Sequence, residues 1–140
     1  MKYNFTKSLR ISFDFDGTLD DEFDGVLNTQ KTEIQNLAKK YITEGHQVCI
    51  ITKRYGPEFS NMGINNEHKI VFELAKKIGI KDIYFTNREM KFSYILNLGI
   101  QKHFENSNYE VELINQACKE RGSECLVIHV EDPYWRDLVY

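Results

Sequence analysis

Residues 9–19 read LRISFDFDGTL, and this stretch decides the predicted fold. Apolar residues alternate along it as far as Phe15 and stop before Gly17, which is the pattern of a β-strand followed by a turn. Asp14 and Asp16 stand at the carboxyl end of that strand. Because side chains alternate between the two faces of a strand, both carboxylates would project to the same side if the strand stayed regular.

Two neighbouring carboxylates need a positive partner, because like charges repel and burial removes the hydration of each ion. A hard divalent cation such as Mg²⁺, which binds carboxylate and carbonyl oxygens, is the simplest such partner. The stretch thus predicts a magnesium site that includes Asp14 and Asp16. The alternative is an acidic turn that caps the strand and faces solvent.

The segment DFDGTL, residues 14–19, resembles the first signature of the haloacid dehalogenase superfamily, in which DxDGT is followed by an apolar residue. Most members of that superfamily are magnesium-dependent phosphohydrolases. The resemblance implies that Asp14 attacks phosphorus and becomes an aspartyl-phosphate. It also implies that Asp16 is the general acid/base, which protonates the leaving oxygen and later activates water. A magnesium-dependent phosphatase for phosphomonoesters is therefore expected.

Length and composition bound the possibilities. With 140 residues, of which 41% are hydrophobic, the chain can form one domain, residues 1–140, with its own core. A net charge of −3 gives no global basic field, so nucleic acid is not indicated as a partner, although a local basic patch stays possible. The three cysteines lack CxxC spacing, which predicts reduced thiols. No long apolar run or signal-peptide core occurs, so a cytoplasmic protein without a membrane partner is expected.

Strand and helix patterns alternate along the chain. The predicted strands span residues 9–15, 46–52, 82–86, 100–105 and 124–130, and the predicted helices span about 29–43, 66–78, 91–98 and 109–121, the last capped by Asn108. Residues 55–65 are predicted to be a loop. This order predicts an α/β fold, a three-layer α/β/α Rossmann-like architecture with a five-stranded, mainly parallel sheet. Ligand chemistry in such sheets collects at the carboxyl ends of the strands.

Polar side chains fall at these strand ends, and that observation supports a site independently of the family resemblance. The residues are Asp14, Asp16, Thr52, Thr86, Glu105 and Asn106. Thr52 resembles the second signature of the superfamily, an apolar strand ending in a hydroxyl that binds phosphate. Lys53 and Arg54 follow it and are further candidates for substrate binding. The alternatives are a capping role for Thr52 and solvated roles for the two basic residues.

Lys91 begins the helix before the fourth strand and resembles the third signature, a lysine that offsets the charge of the nucleophile and the phosphoryl group. Such a cation is needed, because Asp14, Asp16 and a phosphate carry more negative charge than one divalent cation cancels. Arg88 and Lys102 lie nearby in the sequence and are alternatives to Lys91.

Residues 103–110 read HFENSNYE and resemble the fourth signature, usually HxDDS followed by an acid. Asn106 stands where the family places an Asp that binds magnesium directly, with Glu105 before it and Glu110 after it. An amide oxygen adds no negative charge, so weaker metal binding is expected. A helix cap formed within residues 106–108 is the alternative. The predicted metal ligands are Asp14, Asp16, Glu105 and Asn106.

Other enzyme classes lack their motifs, because the four histidines show no zinc spacing and neither a GxSxG elbow nor a Gly-rich phosphate loop is present. Structural or surface roles are therefore expected for the histidines. The chain leaves no room for a cap domain before residue 28 or between residues 86 and 91. An uncapped site suits a phosphorylated small molecule or the phosphorylated end of a larger substrate. The predicted mouth consists of Phe23, Tyr55, Phe59 and Arg88.

Two further functions stay open at this point. Asn106 favours a catalytically weak or inactive binding or regulatory module on the same fold. A receiver-type signalling domain shares the size and architecture, but it needs a phosphorylated Asp at the end of the third strand, where residues 83–86 read IYFT.

Overall fold

The structure is a computed structural model and describes residues 8–20, 28–62 and 67–140. Within these residues, the strands are β1 (Arg10–Phe13), β2 (Gln47–Thr52), β3 (Asp82–Phe85), β4 (Lys102–Glu105) and β5 (Leu126–His129). The α-helices are α1 (Asn28–Thr43), α2 (Glu67–Ile78), α3 (Phe92–Leu98) and α4 (Asn108–Arg121). Two 3₁₀ helices span Pro57–Met62 and Trp135–Leu138.

The five strands form one sheet in the order β3-β2-β1-β4-β5, and every neighbouring pair is parallel. The predicted α/β fold with a five-stranded sheet flanked by helices is therefore confirmed. The chain proceeds from β1 to β2 and β3 on one side, and then crosses to β4 and β5 on the other. The strand order thus changes direction between β1 and β4, which is where open α/β sheets form their ligand crevice.

The two faces of the sheet pack against different helices. One face, which we call the α1/α2 face, joins residues of β1, β2, β4 and β5 to α1 and α2 in a single apolar core. The opposite α3/α4 face has a smaller apolar core around Cys49, Ile51 and Ile95. At β1 and β4 this second face is polar, because Ser12, His103 and Glu105 stand there.

The strand β1 is shorter than predicted. It ends at Phe13, because the carbonyl of Phe15 accepts hydrogen bonds from the N–H groups of residues 18–20 and turns the chain. Asp14 therefore lies just beyond the strand, and Asp16 lies within the turn. Because the strand ends before both acids, strand alternation does not determine the directions of the Asp14 and Asp16 side chains.

Other predicted bounds also differ from the structure. The segment predicted to be a loop, 55–65, contains the 3₁₀ helix Pro57–Met62, whose first position tolerates proline because no backbone donor is needed there. Ser107, rather than Asn108, caps α4 by accepting a hydrogen bond from the Glu110 N–H at 3.3 Å. Both differences are local, so the order of the elements is unchanged.

Some predictions concern residues that the structure does not describe, including Phe23 and the rest of residues 21–27. Between β3 and α3 the chain runs only through residues 86–91. Across the described part of the chain, no helix combines the length and apolar character needed to cross a membrane. Cys49, Cys118 and Cys125 are free thiols.

Candidate active site

A cavity of about 310 Å³ opens at the carboxyl ends of the strands. Every predicted catalytic, substrate-binding or metal-binding residue except Thr52 contributes to its lining, as does Arg88 of the predicted mouth, whereas Tyr55 and Phe59 do not. The lining side chains belong to Asp14, Asp16, Lys53, Arg54, Arg88, Lys91, Glu105, Asn106, Ser107 and Glu110. The lining residues are thus all polar or charged, with carboxylates and cations in equal number.

Asp14 is buried at the base of this cavity. Its backbone N–H donates to the Phe104 carbonyl at 2.9 Å, which fixes the position of the residue beside β4. The Lys91 ammonium donates to Oδ1 at 2.6 Å and the Thr18 hydroxyl donates to Oδ2 at 3.1 Å. Burial outweighs these donors and raises the pKa of Asp14 to about 7. The Asp14 carboxyl group is thus held in one orientation, but Lys91 and Thr18 do not fully compensate the hydration that its charged form loses on burial.

Lys91 lies immediately before α3 and is only 2% exposed. Its ammonium bridges Asp14 and Glu105, with the second contact at 2.8 Å to Oε1. Burial disfavours the charged ammonium, but the two carboxylates together raise the pKa of Lys91. The alternative Lys102 instead contacts the Tyr41 hydroxyl at 3.3 Å. Of the three basic candidates, Lys91 is the one that the fold brings to Asp14.

Glu105 is held by protein donors on both of its carboxylate oxygens. Oε1 lies 2.8 Å from Lys91 Nζ and 2.9 Å from His103 Nε2, and Oε2 accepts the Ser107 N–H at 3.1 Å. Although burial opposes ionisation, the His103 hydrogen bond and the Lys91 charge lower the pKa of Glu105 to about 2. Three protein donors thus orient the Glu105 carboxylate, and Lys91 is its charged partner.

His103 extends these contacts into the sheet. The Ser12 hydroxyl lies 2.7 Å from His103 Nδ1. Burial lowers the pKa of His103, and a carboxylate accepts but does not donate, so the neutral ring carries its proton on Nε2 and donates to Glu105. The residues Ser12, His103, Glu105, Lys91 and Asp14 thus form one continuous buried polar chain.

The sequence analysis did not connect His103 to this row of buried polar side chains, because it assigned the histidines only structural or surface roles. A signal was present in the alternation. The spacings Ser12-x-Asp14 and His103-x-Glu105 put polar residues on one face of the two strands, while Phe13 and Phe104 stand on the other. Polar residues in register on adjacent buried strands indicate a shared network rather than two isolated side chains.

Asp16 is more exposed and is bound by Arg54. The guanidinium donates through Nε to Oδ2 at 2.9 Å and through Nη2 to Oδ1 at 2.7 Å. A third donor of Arg54, Nη1, reaches the Glu67 carbonyl at 2.9 Å, and the guanidinium lies over the Phe15 ring. Arg54 was predicted to bind substrate, and in the structure it occupies both oxygens of Asp16.

Asn106 packs its amide against the turn that carries the acids. Gly17 has a φ of 77°, which favours glycine, and a Cβ at this position would overlap the Asn106 amide group. The backbone carbonyl of Asn106 accepts a hydrogen bond from His129 Nε2 at 3.0 Å. Two features thus favour glycine at position 17: its positive φ and the close contact with the Asn106 side chain.

Thr52 closes β2 but does not line the cavity. Its buried hydroxyl accepts the Arg54 N–H at 3.3 Å, which matches the capping alternative. Lys53 does line the cavity, and its ammonium lies 3.9 Å from the Met90 sulfur. The two residues that follow β2 therefore contribute cations to the site, while Thr52 supports the backbone that carries them.

The donor set fits a hard cation in part. Asp14 supplies a carboxylate and Asn106 an amide oxygen, both of which suit Mg²⁺. Within residues 8–20, 28–62 and 67–140, no three His, Cys, Asp or Glu side chains are arranged as a metal-binding group. Lys91 bridges Asp14 and Glu105, and Arg54 binds both oxygens of Asp16, so these two cations account for much of the charge balance.

Neither a scan against protein-family models nor a search of curated proteins found a match to this chain. Membership of the haloacid dehalogenase superfamily therefore stays a prediction based on the sequence signatures.

Proposed function

We propose that the protein is a magnesium-dependent phosphatase that hydrolyses phosphomonoesters through an aspartyl-phosphate on Asp14. The observation that supports this proposal best is the buried Asp14–Lys91 pair at the base of an open polar cavity. It holds a carboxylate in one orientation beside a cation that would balance an incoming phosphoryl group. The pair also lies beside the point where the strand order reverses.

In the first step, an oxygen of Asp14 attacks phosphorus and the bond from phosphorus to the ester oxygen breaks. The leaving oxygen takes a proton from Asp16. Because Arg54 donates to both oxygens of Asp16, Asp16 donates a proton only after Arg54 has turned to the substrate phosphate. Lys91 stays on Asp14 and balances the charge that develops on the phosphoryl oxygens.

In the second step, Asp16 takes a proton from water, and the water oxygen attacks the phosphorus of the aspartyl-phosphate. The bond between phosphorus and Asp14 breaks, which releases inorganic phosphate and restores the carboxylate. When bound, Mg²⁺ would neutralise the phosphoryl group, and Asp14 and Asn106 are the residues that would hold it. The absence of a lid between residues 86 and 91 suits a phosphorylated small molecule or the phosphorylated end of a larger substrate.

The proposal is tested by assaying a panel of phosphomonoesters with and without Mg²⁺. We expect magnesium-dependent release of phosphate by the wild type and its loss in Asp14→Asn. Asp20→Asn is the matched control, because Asp20 belongs to the same turn but pairs with Lys31 at 3.7 Å and does not line the cavity. Equal turnover by wild type and Asp14→Asn would rule out the proposed nucleophile.

A second candidate, a catalytically weak or inactive binding module, is favoured by Asn106 and by the contact of Arg54 with Asp16. It predicts no turnover on the panel, while inorganic phosphate still raises the melting temperature. Asn106→Asp separates the two candidates, since a carboxylate there should raise Mg²⁺ affinity at least about tenfold in a metal-dependent enzyme. Calorimetric titration with Mg²⁺ measures that change.

A further inference from the structure

The turn that follows β3 holds two consecutive residues in the left-handed region. Asn87 has a φ of 55° and Arg88 a φ of 72°. A turn with both central residues in this region prefers the sequence Asn-Gly, because glycine has no Cβ to be strained there. This chain has an arginine in the place of the glycine. Strained residues of this kind persist where the surrounding structure holds them, often at functional sites.

Hydrogen bonds to the segment after β2 hold the turn in place. The Arg88 N–H donates to the Lys53 carbonyl at 2.8 Å, and the Asn87 side chain accepts the Gly56 N–H at 3.0 Å. The Thr86 hydroxyl closes the turn by donating to the Glu89 carbonyl at 2.7 Å. The backbone thus fixes Arg88 beside Lys53 at the mouth of the cavity.

The Arg88 and Lys53 side chains both line the cavity, but in the described residues neither forms an ion pair with a carboxylate of the cavity. Arg88 is 52% exposed, lies over the Tyr55 ring at 5.0 Å, and pairs with Glu67 at 2.6 Å. Glu67 is not among the residues that line the cavity. Within the described part of the chain, no salt bridge joins Lys53 or Arg88 to a carboxylate of the cavity. Lys91 and Arg54, in contrast, are bound to Asp14 and Asp16.

We propose that Arg88 and Lys53 form a second anion subsite, which binds a phosphate or carboxylate that the substrate carries in addition to its reacting phosphoryl group. This inference rests on the proposed function and names the substrate class as a small phosphomonoester with a second anionic group. The guanidinium fork of Arg88 matches both anions in two parallel hydrogen bonds, and Lys53 adds a compact charge. No lid is inserted between residues 86 and 91, so residues at the rim of the cavity there can contribute to substrate discrimination.

Non-hydrolysable phosphonates test the subsite without requiring turnover. Propylphosphonate carries one anionic group, propane-1,3-bisphosphonate carries two, and 4-phosphonobutyrate replaces the second phosphonate by a carboxylate. Their dissociation constants are measured by calorimetry on the full chain with Mg²⁺. We expect at least one of the two doubly anionic ligands to bind at least about tenfold more tightly than propylphosphonate, as a charge-assisted bidentate contact provides. The better of the two identifies the second group.

Arg88→Gly is the decisive variant, because glycine relieves the backbone strain and the fold should persist. We expect it to weaken the preference for two anionic groups, since only Lys53 of the subsite remains, and to leave propylphosphonate binding unchanged. Arg136→Ala is the matched control, since Arg136 is 43% exposed, pairs with Glu33 at 2.6 Å and lies over the Trp135 ring, but does not line the cavity. It should keep the preference.

Glu67→Gln separates ligand binding from a structural role of the Arg88–Glu67 pair. The amide still accepts the Tyr55 N–H, but it no longer competes for the guanidinium. We expect this variant to bind the doubly anionic ligand more tightly than the wild type, whereas a structural clamp would give weaker binding.

Two results would overturn the subsite: no preference for a second anionic group in the wild type, or the same preference in Arg88→Gly as in Arg136→Ala. Neither result bears on the phosphatase assay. A protein that binds the doubly anionic ligand but releases no phosphate would refute the proposed function alone.

Discussion

The two faces of β1 and β4 are built from alternate residues of the same strands, yet one face is apolar and the other is polar. On the α1/α2 face, Phe13 and Phe104 stack with their ring centres 4.5 Å apart and their planes inclined by 6°. On the α3/α4 face, the neighbouring residues Ser12 and His103 share a hydrogen bond of 2.7 Å. The difference between these faces separates what stabilises this protein from what the proposed chemistry uses.

Physical chemistry explains why the polar face is not a stabilising device. The aromatic pair gains free energy from every part of its apolar surface that leaves water. The buried polar chain loses hydration, and its hydrogen bonds and ion pairs return little more than that cost. Apolar residues of similar volume would serve stability equally well. The polar chain is therefore best explained by its end at Asp14, in the cavity.

The largest effect is expected for Lys91→Met, which removes the central cation of the polar chain. Asp14 and Glu105 are left as buried carboxylates without a shared partner, so the free energy of unfolding at pH 7 should fall by about 3–5 kcal/mol. The rate of phosphate release should fall about 10²- to 10³-fold, because the charge of the phosphoryl group is no longer balanced. Urea unfolding and the phosphomonoester assay measure the two changes.

Lys102→Met is the control for this change, since Lys102 contacts Tyr41 and does not line the cavity. It should retain the wild-type rate. If Lys91→Met also retained that rate, the polar face would be a structural feature only, and the distinction between the faces would fail.

The sequence allowed the apolar face and the order of elements to be predicted because both depend on local periodicity. It also allowed Asp14 and Lys91 to be brought together in one prediction, since each stands beside a predicted strand or helix end. The partners of Glu105 and Asp16 were not predicted. Their contacts join residues far apart in sequence, such as Arg54 and Asp16, and depend on side-chain directions that no periodicity encodes.

The turn at Arg88 also could not be predicted from local sequence. The sequence Thr86-Asn87-Arg88-Glu89 does not predict that the arginine adopts a left-handed backbone conformation, because glycine is the residue that usually indicates it. The turn forms because the segment after β2 supplies its hydrogen-bond partners. Local preference was overridden there by tertiary contacts.

Phe104→Ala tests the aromatic face. The cavity left between Phe13, Tyr41 and Trp135 should lower the free energy of unfolding by about 3–5 kcal/mol. The rate of phosphate release per folded molecule should stay within a few-fold of the wild type, because the side chain points away from the cavity. If the alanine variant does not fold, Phe104→Leu gives a smaller loss with the same expected rate. A loss of rate without a loss of stability would contradict the separation of the faces.

His103→Phe sharpens the comparison, because residue 103 is the direct neighbour of Phe104 on the other face. The substitution puts a somewhat larger apolar ring in the same place, leaves the Ser12 hydroxyl without its partner and removes one of the three donors to Glu105, so the free energy of unfolding should fall by about 1–3 kcal/mol. His103 acts through Glu105 as a positioning residue, and we therefore expect kcat to fall while KM stays nearly unchanged. His103→Gln, which can still donate to Glu105, should recover part of kcat. Equal values for both variants would show that His103 only fills space.

The smallest effect is expected at the exposed pair of Glu33 and Arg136, which provides a baseline for the buried pair at Lys91. The Arg136 hydrogen bonds lower the pKa of Glu33 below its ordinary value of 4.5. A lowered pKa in the folded state contributes stability above the ordinary value, and that contribution is lost as the pH falls through the folded value. Glu33→Gln should therefore lower the free energy of unfolding at pH 7 by less than about 1 kcal/mol, and the difference from the wild type should shrink steadily below pH 4.5. Urea unfolding of both proteins between pH 7 and pH 3 measures this trend. A difference that is constant with pH would mean that Glu33 contributes by packing, and an effect as large as that of Lys91→Met would remove the contrast between exposed and buried pairs.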